Sequence, residues 1–560
     1  MNVLTMFRSV LACCVVMALA IALQAGRAHA DISGRVVDIV DGEPIEGAIV
    51  SVRARPDLGR VLTDADGHYT LPLNGVPGVV EIGVAVPWDP QSEINYLVNA
   101  VQAFDGLSGF QLPLLRSPDM ENVAYEPPTA QTCNTCHSRY HQQWLTSRHA
   151  GSAVNPWVLD LYAGTGTAGG SAGYVFRDTH DAGHTGFCAA CHAPMEDVFT
   201  PGEVYLDEVA TPAGLNGVSC LACHQIADVD PTHINALNHL GKTDYRFLQG
   251  GQPTHLYVWG PLPDVDNGIM QAHYSPLHSD PRLCAACHQY TNPETGAPGQ
   301  STYTEWLASP YAQPGPGRRT CQNCHMEKET TAGQIGSQGP QRPASQRSTH
   351  RFTGATPQRL SENIDLRIAA QQSGAGLLLT AEVENQCGHN FPTGIDIRNA
   401  LVVLDVRVGG VPLQQVHGPV LPFWASDDVP GEQPGDYAGW PGKGFAKVLE
   451  GRINGVGEVV RPVLFIDAEQ AASNTTIPSG HTDVSQYRFA IPAGLPANTE
   501  VSITARLLYR RAWRALAVTK GWTQTPGGMP VEIQVQQRSL QLALEPVADG
   551  LFADGFEIAR

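Results

Sequence analysis

The sequence predicts an α+β multidomain chain: an N-terminal β-sandwich, a central segment of short helices and loops, and a larger C-terminal β-sandwich. Three observations lead there. At 560 residues the chain exceeds what one hydrophobic core organises, which points to about three domains. Two long stretches read as alternating apolar and polar runs cut by turn residues, while the region between them has little continuous apolar periodicity. The 57 glycines and 42 prolines favour sandwiches and loops over helical bundles.

Residues 1–30 read as a secretory signal. Arg8 supplies positive charge, Val10 to Leu23 is apolar, and Ala28-His29-Ala30 is an A-x-A cleavage site before Asp31. The apolar run is short for a membrane span and no other is longer, so an exported chain with no transmembrane segment after cleavage is expected. The net charge of −19 becomes more acidic once Arg8 and Arg27 leave, and only five lysines occur. Such a surface repels nucleic acid and anionic lipid and suits a basic partner.

Residues 31–115 alternate in "ISGRVVDIVDGEPIEGAIVSVRA" and turn at Asp41-Gly42. "GRVLTDADGHYTLPL" reads as a hairpin around Asp66-Gly67. The pattern resembles the carboxypeptidase regulatory-like domain, a small Ig-like β-sandwich, and the resemblance implies a structural or docking module without catalytic residues. A Pro-containing linker, 116–131, leads into a central domain assigned to 116–355.

Thirteen cysteines in an exported chain would ordinarily mean disulfides. Their spacing contradicts that. Two lie in the signal, and ten form five copies of C-x-x-C-H: Cys133/Cys136/His137, Cys188/Cys191/His192, Cys220/Cys223/His224, Cys284/Cys287/His288 and Cys321/Cys324/His325. This is the attachment signature of c-type haem: two thiols reach the vinyl groups of one porphyrin and the adjoining His supplies the proximal nitrogen. A zinc ribbon gives no reason for His after every second cysteine, and a thioredoxin-like site would occur once. Five covalently attached haems are therefore expected, and as large apolar plates they are expected to form the core of this domain. Cys387 is left without a role.

Residues 356–545 return to strands ("GLLLTAEVENQ", "RNALVVLDVRVGGVPL", "EVSITARLLYR"), read as the second sandwich. Residues 546–560 read as a tail whose "DGFE" resembles the ends of some exported bacterial proteins.

The five motifs, with "WLTSRHA", "GVSCLACH", "EWLASPYA…CQNCHM", "GHNFPTG" and "LLYRRA", resemble the multihaem cytochrome c superfamily of tetrahaem electron carriers, cytochrome c nitrite reductases and hydroxylamine oxidoreductases. The resemblance implies closely packed, mostly bis-His haems, and makes His149 of W-x-x-S-x-H-A a distal ligand. His350 and His184 are further distal candidates. One or two more are expected from His233, His239, His255, His273 and His278. His141, one turn from His137, suits packing, and His389 reads either as a turn residue of the sandwich, the favoured reading, or as a histidine that reaches a haem across the domain interface.

"EWLASPYA" (305–312) nearly copies "QWLTSRHA" (143–150), with Tyr311 where the first has His149. Three roles stay open for Tyr311: packing, a proton donor beside an open iron, or an iron ligand. No motif ends in C-x-x-C-K, the catalytic signature of the nitrite reductases, so that activity is not carried over. The expectation is an electron-relaying cytochrome of the periplasm or cell surface, with redox proteins or an outer-membrane or filament assembly as partners. The alternative is a haem-dependent reductase or oxidase of a small nitrogen or sulfur compound at one open haem near Tyr311.

Overall fold

Alternation in the first stretch builds seven strands: β1 (Ile32–Asp38), β2 (Ile49–Val52), β3 (Arg60–Leu62), β4 (His68–Leu71), β5 (Val79–Ala85), β6 (Asn99–Phe104) and β7 (Phe110–Leu114). They form two sheets, ordered β4-β1-β7 and β3-β2-β5-β6, with β1 parallel to β7 and antiparallel to β4. Inward residues of both sheets, among them Ile32, Val36, Val50, Ile82 and Leu112, share one buried cluster. The Asp66-Gly67 turn is closed by the Asp64 carboxylate, which accepts from the backbone N–H of Asp66 and His68. Gly67 there has φ +75°, and a Cβ would meet the Val36 carbonyl at 2.6 Å.

The structure, a computed structural model, describes residues 31–234, 242–250, 256–266 and 268–547. The signal, the tail, His239 and His255 lie outside them. The chain is mixed α/β and divides into two units. In the first, residues 246–278 and 328–348 join the N-terminal strands. Asp264 and Arg342 form a buried ion pair (2.9 Å), and Asp264 also accepts from the Ala54 backbone N–H at 2.8 Å. Gly83 permits this approach, since a Cβ there would lie 2.3 Å from the Asp264 Cβ. His273 is stacked on Trp259 (4.5 Å), set edge-on to Trp88 (4.9 Å) and hydrogen-bonded to the Ser117 hydroxyl.

The second unit comprises residues 127–245, 279–327 and 349 onward. Its C-terminal part is two facing sheets. One holds Ile364–Ser373, Gly376–Asn385, Thr482–Ala490 and Gln415–His417; the other is built on Asn399–Val408, Gly442–Glu450, Thr499–Arg510 and Glu532–Leu544. Leu366, Leu377, Val402, Phe489 and Ile503 are among its fully buried residues. Ahead of it, all five cysteine motifs lie on helical segments: Ala130–Leu145, Cys188–His192, Cys220–His224, Arg282–His288 and Cys321–His325. Most are a turn or two long, and the buried residues inside the middle three are mainly alanine. Among the described residues no helix is long and apolar enough to cross a membrane.

Candidate functional site

Each motif sets its two cysteines and its histidine on one or two helical turns. In the first, the helix kinks at His137 (φ −112°, ψ 41°). All described cysteines are free thiols, so the motifs are not disulfide pairs. Thiols of different motifs lie near enough to shift each other's ionisation: Cys133 with Cys220, Cys191 with Cys287, and Cys284 with Cys321. Burial pushes the Cys188 thiol up to about 12 and Cys223 up to about 11. Neither has the exposed, electropositive surroundings of a redox-active thiolate.

Cys136 of the first motif and Cys324 of the fifth are exposed, whereas the other eight motif cysteines are half-buried. Around Cys136 other side chains of the same helix are likewise open. Thr135, Ser138 and Arg139 beside it are exposed as well, and the helix buries only Ala130, His141, Gln143 and Trp144. At Cys324 the same holds on a shorter helix, which buries only Gln322.

The histidines show a regular spacing. Two imidazoles binding one metal through Nε2, each at about 2.0 Å with the ring centre about 1.15 Å behind, place their centres about 6.3 Å apart. His149 faces His288 at 6.3 Å, His350 faces His224 at 6.4 Å and His389 faces His325 at 6.4 Å. Each pair joins the histidine of one motif to a histidine outside any motif. Several rings carry the second hydrogen bond that fixes the tautomer of a metal-binding imidazole. Nδ1 of His192 lies 3.1 Å from the Ser152 carbonyl, that of His325 lies 2.8 Å from Thr353, and that of His389 lies 3.0 Å from Asn390. Burial lowers the pKa of His149 to about 4 and of His288 to about 3, and also lowers those of His192, His325 and His389. Neutral imidazole is the form a metal takes. Spacing, tautomer and protonation therefore all fit a porphyrin iron.

The repeated segment has a common job. Trp144 Nε1 donates to the Val218 carbonyl and Trp306 Nε1 to the Arg319 carbonyl, both at 2.8 Å. Val218 N–H donates to the His149 carbonyl and Arg319 N–H to the Tyr311 carbonyl. Val218 and Arg319 each stand two residues before the first cysteine of a motif, the third and the fifth. The residue preceding each Trp completes the clasp: the Gln143 side chain accepts from His350 N–H, and the Glu305 carboxylate accepts from Asn390 N–H and the Thr393 hydroxyl. Each copy thus holds a motif and the chain carrying the imidazole opposite it.

His389 stands as the less favoured of its two sequence readings has it. It is no simple turn residue, because "GHNFPTG" leaves the sandwich and sets this ring against His325. The signal that could have found it is the second clasp, whose motif lacked a partner. Tyr311 donates its hydroxyl to the Gln386 carbonyl at 3.0 Å. His184 faces none of the five motif histidines among the described residues; it lies against His180 (5.8 Å) and Phe176 (5.5 Å). His233 is exposed and bonds Asp230 at 2.5 Å within a turn. His141 is buried against Trp144. His278 is buried in the first unit. Burial raises the Cys387 thiol to about 12.

No family model matches the chain, and no curated protein matches it. Among solved structures, a penta-haem cytochrome c552 from Thermochromatium tepidum is 19% identical over 74% of this chain and 99% of its own, with a TM-score of 0.49. A 5-hydroxyisourate hydrolase from Klebsiella pneumoniae is 19% identical over 15% of this chain and 83% of its own, with a TM-score of 0.12.

Proposed function

We propose that this chain is an exported pentahaem cytochrome c that relays electrons through covalently attached, mostly bis-His haems. The observation that carries the reading is the 6.3–6.4 Å spacing between three motif histidines and three histidines from elsewhere in the chain. The cysteine pairs hold the porphyrins as thioethers. His137, His192, His224, His288 and His325 are the proximal ligands, with His149, His350 and His389 the distal ligands of the fourth, third and fifth haems. When bound, each haem supplies reversible one-electron chemistry. The chain's part is to keep two rigid imidazoles on an iron, so that coordination need not change with the electron. Arg398, near enough to His288 and His389 to lower both pKa values, offers positive charge to porphyrin carboxylates.

The acidic chain, with a net charge of −19, suits a basic redox partner in the periplasm or at the cell surface. The alternative of substrate chemistry at Tyr311 is the weaker reading, since its hydroxyl is bonded to Gln386 and His389 already stands opposite His325. A pyridine haemochrome assay against protein concentration tests the proposal. It expects five haems per chain; a value of four or fewer in fully matured protein overturns it.

A further inference from the structure

The approach to the fifth motif is a stiff loop that ends in two arginines. Residues 313–319, "QPGPGRR", carry two prolines, whose fixed φ limits the conformations the loop can take. Its end is held by the clasp: Trp306 Nε1 donates to the Arg319 carbonyl at 2.8 Å, and Arg319 N–H donates to the Tyr311 carbonyl at 3.0 Å. Both arginines are exposed on this fixed backbone. The Arg318 guanidinium lies 5.7 Å from the Trp306 ring centre, and Arg319 Nη1 donates to the Pro316 and Arg318 carbonyls of its own loop, both at 3.1 Å.

Two more arginines flank the same motif. Arg359 Nη2 donates to the Cys324 carbonyl at 2.6 Å. Arg351, also exposed, stands on the segment that runs beside the motif, where Thr349 N–H donates to the Glu327 carbonyl and the Thr353 carbonyl lies 2.8 Å from His325 Nδ1. Burial raises the Cys324 thiol, and Arg359 and Arg319 are close enough to oppose that rise. The carboxylates nearby are already engaged: Asp280 pairs with Arg282 at 3.2 Å, Glu327 pairs with Arg359 at 2.5 Å, and Glu362 accepts from the Gln358 side chain at 2.8 Å. Arg318, Arg319 and Arg351 stand in excess of these pairs, in a chain whose 54 acidic residues outnumber its 35 lysines and arginines.

A thioether cysteine marks an edge of its porphyrin, and electrons pass between proteins where such an edge comes within reach of the partner's cofactor. Charge at that edge selects the partner and speeds its approach. At 0.1 M salt the Debye length is about 10 Å, so a protein docking there meets these arginines while more distant carboxylates are largely screened. We propose that the face formed by Arg318, Arg319, Arg351 and Arg359 around the fifth motif is the docking site of an acidic one-electron carrier protein, which meets it through carboxylates around its own cofactor. This rests on the pentahaem reading. A single electron crosses the face, one centre being oxidised as the other is reduced, and no atom moves with it. The relay then has two kinds of partner, basic where the acidic bulk of the chain is presented and acidic at the fifth motif. Arg318 and Arg319 contribute most, because the loop and the clasp hold them in place before the partner arrives.

The test uses the full haem-loaded protein, its haem content measured on the same sample, with a reduced flavodoxin as the acidic probe. The stopped-flow rate of electron transfer should fall at least threefold between about 0.1 and 0.5 M salt, although both proteins are acidic overall. A rate that rises with salt, as two uniformly acidic proteins give, overturns this inference and leaves the relay reading standing. Fewer than five haems overturns the relay reading itself. Arg318→Glu/Arg319→Glu should slow the flavodoxin reaction about tenfold at 0.1 M salt and reverse its salt dependence, without slowing the reaction with a basic cytochrome c. Arg318→Gln/Arg319→Gln should give a smaller loss in the same direction. A double reversal that shifts the redox titration and leaves the flavodoxin rate unchanged assigns these arginines to haem carboxylates, which sinks the docking site. Self-association at low salt that the double reversal abolishes, with no effect on flavodoxin, puts a second copy of the chain on this face and sinks it equally.

Discussion

Replacing His389 with alanine separates a structural turn from an iron ligand. The ring faces His325 at 6.4 Å, and its Nδ1 bonds the Asn390 carbonyl at 3.0 Å. A turn residue would lose only that hydrogen bond, about 1 kcal/mol, which is about 2–4 °C in the Tm of a unit of this size. A ligand would lose that and more. His389→Ala should leave five haems attached, because Cys321, Cys324 and His325 remain. About one iron in five should become high-spin in low-temperature EPR, given the loss of an axial nitrogen. Free imidazole should restore the low-spin signal, and carbon monoxide uptake should rise by one per chain. Tyr311→Phe, which removes only the hydroxyl bonded to Gln386, should do none of this. An unchanged EPR spectrum in His389→Ala would refute the pairing, and a new high-spin signal in Tyr311→Phe would refute the role given to the repeat.

Trp144→Phe and Trp306→Phe each remove one indole donor from a carbonyl two residues before a motif. Each should cost about 1 kcal/mol, read as a few degrees in Tm, with all five haems retained. The Asp396 carboxyl is buried, and burial raises its pKa to about 7, with Lys447 opposing the rise. With its folded-state pKa above the ordinary aspartate value of about 3.9, Asp396 makes the native state bind more protons between the two values, so stability falls as pH rises toward 7 and levels off above it. The limit is roughly 4 kcal/mol. Asp396→Asn should flatten the Tm profile from pH 5 to 8 and raise the Tm at its upper end, and an unaltered slope would show that the carboxyl does not titrate in this range.

The five motifs were legible because thioether chemistry fixes both spacing and residue type within five positions. Their depth was not: nothing in C-x-x-C-H separates exposed Cys136 from half-buried Cys133 three residues earlier. The sheets were legible because alternation is local: Gly376–Asn385 buries every second residue for most of its length. Distal ligands follow neither rule. An axial imidazole needs only to arrive at the right place, so His149 reaches a motif more than a hundred residues on, while His184, four residues from Cys188, reaches none among the described residues. His389 sits among strand and turn residues, and local context describes it as part of a sandwich. The grouping of 246–278 and 328–348 with the N-terminal strands was equally hidden, since it depends on contacts between segments far apart in sequence, such as Asp264 with the Ala54 backbone and Arg342, and His273 with Trp88 and Ser117.

The exchange of His149 for Tyr311 follows from what the repeat does in common. In both copies the indole and the seventh residue's backbone carbonyl hold the approach to a motif, so neither interaction constrains the seventh side chain. Gln143 and Glu305 in turn hold the loop segment bearing His350 or His389. Each copy therefore supplies one motif with its opposing imidazole without using its seventh side chain at all. That side chain is free for a further task. In the first copy it crosses to the fourth motif and faces His288; in the second it closes on Gln386, at the root of the loop that carries His389. A histidine at 311 would still have to reach another motif to act as a ligand, and the fifth is already served. Tyrosine there ties the root of the His389 loop to the turn that holds Arg319, two residues before the fifth motif, so on the pentahaem reading the C-terminal strands are part of the framework around that motif and not an appendage to it.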